Sequence, residues 1–469
     1  MSKENRKKVI GEIIAVAVGL IVALIPPPEG LTSHSMWTVG ILIWAVLNWV
    51  FQSMPDYVVA ILMCTLWAAF KTVPFTTAFG SFAGTTWWIL IGALGIGIAV
   101  NKSGLLKRIS LLALKLFPPT FNGQVLALLG AGTLAAPCIP STTAKCAITA
   151  PLAMGIADSL GLEKRSKGRT GLFCAMYTGF SLNATIFISA SFLGYLILGM
   201  LPKDTQAHFT WMNWFIAMIP WGIVLLVGSY LFITRAYKPE TTASIPADYI
   251  KKQISELGPM TRDEKITLAV LLTGLVFWVG ESTIGVPAVI TAVVGMCVLM
   301  GLNVFGTAEF HGKMVWSLLF FIGSVLNLAS VLPAVGINAW LGKALAPFVT
   351  QFVGNPYLLI IAVALMIYVF RALIASLSGT MALFTVMLVP FAVAAGINPW
   401  VVGITSYVSV MVWYLQYQNA NFLSAFVAAG GESMIPFKST VKMSYAYMVI
   451  SLVGLLISVP YWRMLGLIP

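Results

Sequence analysis

The chain has 469 residues, of which 59% are hydrophobic and only 9% charged, with a mean hydropathy of +0.93. That balance excludes a water-soluble globular protein and points to an all-α polytopic membrane protein. The formal net charge of +12 does not mark a nucleic-acid binder, because the basic residues are confined almost entirely to short loops between apolar runs.

A crossing needs about 20 apolar residues. The charged start, MSKENRKK, leads into a first span from Val9 to Ile25 that Pro26-Pro27-Pro28 ends. It has no small-residue cleavage site, so residues 1–35 read as a retained N-terminal span and not a signal peptide. A first repeat, residues 36–237, opens with apolar segments near Met36–Phe51, Tyr57–Phe70 and Trp87–Val100. From Gly104 to Phe117 lysines and an arginine recur against a leucine face, the pattern of a helix lying along the interface. Residues 121–158 then form two arms too short to span comfortably, separated by Pro137 to Lys145, PCIPSTTAK. A segment over 171–200 is broken at Ser181 to Thr185, SLNAT, and a helix to about Tyr237 closes this half.

Residues 238–264 are the longest polar stretch and read as a linker. The plan then repeats over 265–469: spans near Ile266–Val279, Pro287–Met300 and Trp316–Leu332, and a horizontal piece from Gly336. A second pair of arms over 355–395 follows, Pro356–Ala375 and Met381–Ala395, interrupted by Ser376 to Met381, SLSGTM. A broken helix over 400–429 and a last span near Met443–Leu465 complete the chain. Ser141-Thr142-Thr143 aligns with Ser378-Gly379-Thr380, 237 residues on, Asn183 with Asn419 at 236, and Gly92 with Gly323 at 231. Lipid cannot satisfy a broken backbone, so each interruption reads as the tip of a re-entrant hairpin. The total is about 11 transmembrane helices plus two such hairpins. An odd number of crossings per half makes the repeats inverted. Only Lys71, Lys203, Lys343 and Arg463 fall outside when the N-terminus is cytoplasmic, as the positive-inside bias requires.

Paired breaks at matching places in two halves point to a transporter's binding site. Each tip offers hydroxyls, Ser141, Thr142 and Thr143 or Ser378 and Thr380, beside Gly379 and the start of a helical arm, where free N–H groups hold carboxylates. Asn183, Thr185, Asn419 and Asn421 of the broken helices add neutral hydrogen-bonding groups. Lys145 and Arg371 are the two cations within the apolar arms. Each is either a side chain that snorkels to the interface or a fixed charge facing an anion. No acidic residue lies in the broken helices, His34, His208 and His311 fall in loops, and the five cysteines lack metal spacing. Nothing here forms a proton relay, an enzyme's acid–base pair, a metal centre or a cofactor site.

With these residues the chain resembles the divalent anion:sodium symporter (DASS, or INDY) family along its whole length. The family's hairpins carry Ser-Asn-Thr motifs that bind substrate carboxylate and sodium, and here asparagine is missing from both. PSTTAK is more similar to the plastid oxoglutarate/malate translocators and to bacterial INDY-type dicarboxylate exchangers. The resemblance implies a homodimer in a bacterial plasma membrane, with a transport domain moving elevator-fashion against a scaffold. It implies exchange of di- or tricarboxylates of the succinate, malate or 2-oxoglutarate type, without sodium. The charge a sodium would bring comes instead from Lys145, with Arg371 as a second compensating cation. The alternative is a sodium-coupled dicarboxylate symporter, its cation held by Thr142, Asn183 and carbonyls.

Overall fold

The computed structural model describes residues 3–139, 141–240, 244, 247–341, 343–344, 355–374 and 376–469. Pro140 of the first tip, Ala375 at the end of the second unit's first arm, and parts of the linker and of the piece after Gly336 lie outside the described residues. Every regular element among the described residues is helical. Among these residues six helices are long and apolar enough to cross a membrane: Ser33–Phe51, Thr85–Ser103, Trp211–Ala236, Trp316–Ala334, Leu377–Ala394 and Phe437–Met464. Four shorter apolar helices join them, Asp56–Ala69, Ala288–Gly301, Pro356–Phe370 and Pro399–Val410. The amphipathic stretch forms Leu105–Lys115, set off from Thr85–Ser103 by Gly104, whose φ of 81° lets the chain turn where a side chain would be strained.

The internal repeat is regular. Phe121–Ala135 and Pro356–Phe370 both have 15 residues, and Thr142–Ser159 and Leu377–Ala394 both have 18. Each start and end is displaced by 235 residues, and so are the capping residues, Thr120 with Asn355 and Ser141 with Ser376. The alignment of tips at 237 is therefore two residues out. Matching hydroxyl to hydroxyl does not fix a helix's phase; its N-cap does. Thr143 falls opposite Ser378, and Lys145 opposite Thr380.

Each pair of arms is followed by an interrupted helix. The first runs Lys167–Tyr177, widens into a π turn at Thr178–Leu182, tightens into 3-10 turns at Asn183–Ile186 and Ile188–Ala190, and resumes as Phe192–Met200. The second runs Pro399–Val410 and resumes as Ala420–Ala428. Both resumed pieces have nine residues, and Ser191 and Asn419 cap them. By capping role Ser191, not Asn183, is the counterpart of Asn419, although the two stand 228 and not 235 residues apart; Asn183 lies inside a tight turn and caps nothing.

Packing explains why the arms persist despite their length. Both arms of a pair straddle the first part of the helix that follows, and the second arm reaches across to the other half. Thr142–Ser159 lies on Ala420–Ala428, while Leu377–Ala394 lies on Phe192–Met200. A Cβ on Gly132 would sit 2.2 Å from the Gly179 carbonyl carbon, so arm and π turn meet backbone to backbone. Where the two breaks cross, Tyr177, Trp413 and Phe422 interlock, with ring centroids 5.0 Å apart for the first pair and 5.3 Å for the second. A separate set packs beside these elements: Thr85–Ser103 on Ala288–Gly301, and its counterpart Trp316–Val325 on Asp56–Ala69.

The linker is tied down at Arg108, on the amphipathic helix. Its Nε lies 2.7 Å from Glu264 Oε1, and its other donors reach the carbonyls of Leu257, Gly258 and Pro259. That bond holds the Glu264 carboxyl below its ordinary value despite its burial. The folded carboxylate therefore stays charged where an unfolded one takes up a proton. Its contribution is complete above the unfolded value of about 4.3 and fades as pH falls through the lower folded value. Arg108→Ala should lower the melting temperature in detergent by several degrees at pH 7, and by less at pH 4. Lys102→Ala breaks a more exposed pair with Glu309 and should change it little; equal shifts would refute the assignment.

Candidate functional site

At the first tip Ser141 accepts from Ala144 N at 3.3 Å and so starts Thr142–Ser159. Thr142 is buried, and its hydroxyl has no partner among the described residues. Thr143 is exposed and donates its hydroxyl to Asn421 Oδ1 on the other half's broken helix. Lys145, one turn in, is fully buried and does not snorkel. Its Nζ donates to Ala190 O at 2.9 Å, and among the described residues no carboxylate pairs with it. Two N–H groups of the ammonium remain.

The facing break is held by side chains. Trp214 Nε1 donates to Thr185 O at 3.2 Å, Ser189 Oγ to Pro137 O at 2.8 Å, and Trp211 Nε1 to Ser189 Oγ at 2.9 Å. Asn183 is buried; its amide donates to Thr133 Oγ1 while its Oδ1 has no partner among the described residues. Thr185 is buried beside it.

At the second tip the cap is Ser376, which accepts from Gly379 N at 3.2 Å. Ser378 is half-buried; Gly379 and Thr380 are buried, and Thr380 Oγ1 donates to Ser376 O at 2.7 Å. That hydroxyl serves its own helix, as threonines in membrane helices often do. Arg371 is fully buried, with Nη1 2.7 Å from Ile374 O and Nη2 on Gln418 O. Gln418 answers from the break, its Nε2 donating to Arg371 O at 2.8 Å. Asn419 accepts from Phe422 N at 3.1 Å and donates to Met411 O at 3.0 Å.

The two cations thus perform one act twice. Ala190 and Gln418 are the residues just before the caps Ser191 and Asn419, and each carbonyl receives a buried positive group. Sequence reasoning missed Ser376, Ser191 and Gln418. The spacing of Ser376 from Gly379, three residues, was the available cap signal. A cleft of about 220 Å³ borders the first break, lined by Ile188, Tyr195 and Trp211 together with Thr85, Gln206 and Glu281, and its carboxylate makes it a poor place for an anion.

Residues 6–468 match the family described as the sodium:sulfate symporter transmembrane region. The chain belongs to this family. It is a membrane transporter and not an enzyme, in agreement with the DASS pattern of its tips. Among its relatives, the putative malate transporter YflS of Bacillus subtilis is 27% identical over 358 residues, 75% of each chain. The L-tartrate/succinate antiporter of Shigella dysenteriae is 25% identical over 408 residues, covering 81% of this chain and 82% of that one. The crystal structure of the Alcanivorax borkumensis YdaH transporter superimposes with a TM-score of 0.58 at 16% identity, over 91% of this chain and all of the other. That likeness concerns the fold alone.

The capping register of this family member can be tested directly. Ser141→Ala removes a cap and should cost about 1 kcal/mol, read as a lower melting temperature; Ser376→Ala removes a cap together with a bond to Asp56 and should cost at least as much. Ser378→Ala removes no cap and should cost less. A larger loss at Ser378 than at Ser376 would restore the 237-residue register.

Proposed function

We propose that this transporter exchanges di- and tricarboxylates of the succinate, malate and 2-oxoglutarate type, independently of sodium. One observation carries the reading: a fully buried ammonium, Lys145, with one carbonyl partner and no carboxylate. A charge in a low-dielectric interior is costly unless paired. A substrate carboxylate at the adjoining helix start supplies the pair and gains from the fixed dipole. The relatives' names point to the same class of substrate. On this reading Ser141, Thr142, Thr143, Asn183 and Thr185 line one side of the site. Ser378, Gly379, Thr380, Asn419 and Asn421 line the other, with Lys145 and Arg371 supplying positive charge.

The pairs of arms are then re-entrant hairpins of two inverted repeats, following an N-terminal span and joined by a cytoplasmic linker. The set built on the breaks moves elevator-fashion against the helices packed beside it, within a homodimer in the plasma membrane. A fixed cation cannot dissociate, so an empty and positively charged carrier crosses reluctantly and exchange becomes obligatory. The sodium-coupled alternative has one observation in its favour. Among the described residues Thr142 Oγ1 and Asn183 Oδ1 are buried oxygens without partners, and a cation takes such ligands.

Counterflow of labelled succinate or malate in proteoliposomes separates the two. Exchange should run at equal rates in sodium, potassium or choline, and collapse in choline would establish the symporter. Lys145→Ala should cut exchange at least tenfold, since an unpaired buried carboxylate costs more than the ~1.4 kcal/mol that tenfold represents. Retained exchange would remove Lys145 from the site. For topology, cysteines placed at Lys167 and Ser255 should be labelled from the cytoplasm, and one at Asp204 from outside. Labelling of all three from one side would end the inverted-repeat reading.

A further inference from the structure

Ser376 makes two hydrogen bonds of opposite sense. Its Oγ accepts from Gly379 N, which starts the helix, and its proton goes to Oδ2 of Asp56, 2.8 Å away. Asp56 belongs to neither hairpin. It is the first residue of Asp56–Ala69, in the set of helices packed beside the hairpins, and its carbonyl accepts from Trp49 Nε1 at 3.2 Å. Trp49 also faces the tip, its ring edge 3.9 Å from where a Cβ on Gly379 would be. A carboxylate of the protein's own therefore lies at the second tip, on the helix start whose Ser378, Gly379 and Thr380 the proposed function gives to substrate.

A hydroxyl has one proton to donate. Ser376 gives it to Asp56 or to a bound dicarboxylate, not to both, and two carboxylates at one hydroxyl repel each other. We propose that Asp56 is a tethered stand-in for substrate. In the empty carrier it holds the second tip against the neighbouring helices, and an arriving dicarboxylate displaces it. The inference rests on the carboxylate-exchange reading. Under it, the loaded hairpin is released to move past Asp56–Ala69, whereas the empty hairpin stays tied. Lys145 opposes empty crossing through its charge at the first tip, and Asp56 opposes it through a contact at the second. The two act on different hairpins and separate under mutation.

Efflux of labelled succinate from proteoliposomes tests this, measured with and without succinate outside. For the wild-type protein, efflux should need the external substrate. Asp56→Ala should raise the ratio of efflux without counter-substrate to efflux with it about tenfold, the scale of one hydrogen bond to a charged group. An unchanged ratio in Asp56→Ala, beside strict exchange in the wild type, overturns the tether alone. Wild-type efflux that needs no counter-substrate overturns the exchanger reading and the tether with it. A second measurement does not depend on transport by the alanine variant. With Asp56→Cys and Ser376→Cys combined, oxidation by copper phenanthroline should form a disulfide in substrate-free protein, and saturating succinate should suppress it. No disulfide, or one that succinate leaves unchanged, overturns the proposal.

Discussion

The carbonyls of Ala190 and Gln418 set the terms for the rest of the molecule. A helix that stops inside an apolar interior leaves backbone oxygens that neither lipid nor the next turn can satisfy. Here each stop is met by a buried cation at the carbonyl just before the resumed helix. The two donors come from unrelated places: Lys145 from the second arm of its pair, four residues past the cap, and Arg371 from the end of the first arm. The fold is symmetric in what it requires and asymmetric in how the sequence supplies it. That is why the two cations do not align under any repeat offset.

Meeting those carbonyls also decides what is rigid. Gln418 bonds back to Arg371 O and accepts from Leu415 N at 2.8 Å, so the second break is laced to its own hairpin at several points. Tyr414 and Tyr417 add bonds to the carbonyls of Tyr368 and Ala372. At the first break Trp211 and Trp214 do the equivalent from the long helix that follows. Tyr177, Trp413 and Phe422 interlock at the crossing, so the two broken helices pack directly on each other. The second tip's polar contact with Asp56 is a single hydrogen bond, and single bonds can be exchanged for a ligand's.

Sequence patterns reached the helical architecture, the duplication and both breaks, because proline, glycine and hydroxyl clusters inside apolar runs admit few other structures. They did not reach the register. SLSGT offers two serines, and only the helix itself shows that Ser376 is the cap and Ser378 is not. Nor could they tell which hydroxyls stay available. Thr143 bonds Asn421 and Thr380 bonds its own backbone, whereas Thr142 has no partner among the described residues, although all three read alike on paper. Whether Lys145 snorkels or stays inside is a matter of what packs around it, which no local pattern records. Asp56 was invisible for the opposite reason: an aspartate at a helix start is ordinary, and its meaning comes from a tip 320 residues away.

The fixed charges constrain what such a site can carry. Lys145 and Arg371 bring two positive charges into the hairpins, and Asp56 returns one negative charge only while the second tip is tied to it. A bound dianion cancels the two cations and, by displacing Asp56, leaves that carboxylate behind on the neighbouring helices. On the elevator reading proposed above, the moving body is then close to neutral, which is the state a low-dielectric path favours. The empty body keeps its positive charge and its tether together. A trianion would leave one negative charge uncompensated and would cross best after taking up a proton. On the proposed reading, charge matching makes dicarboxylates the natural cargo, and a tricarboxylate would cross as its dianion.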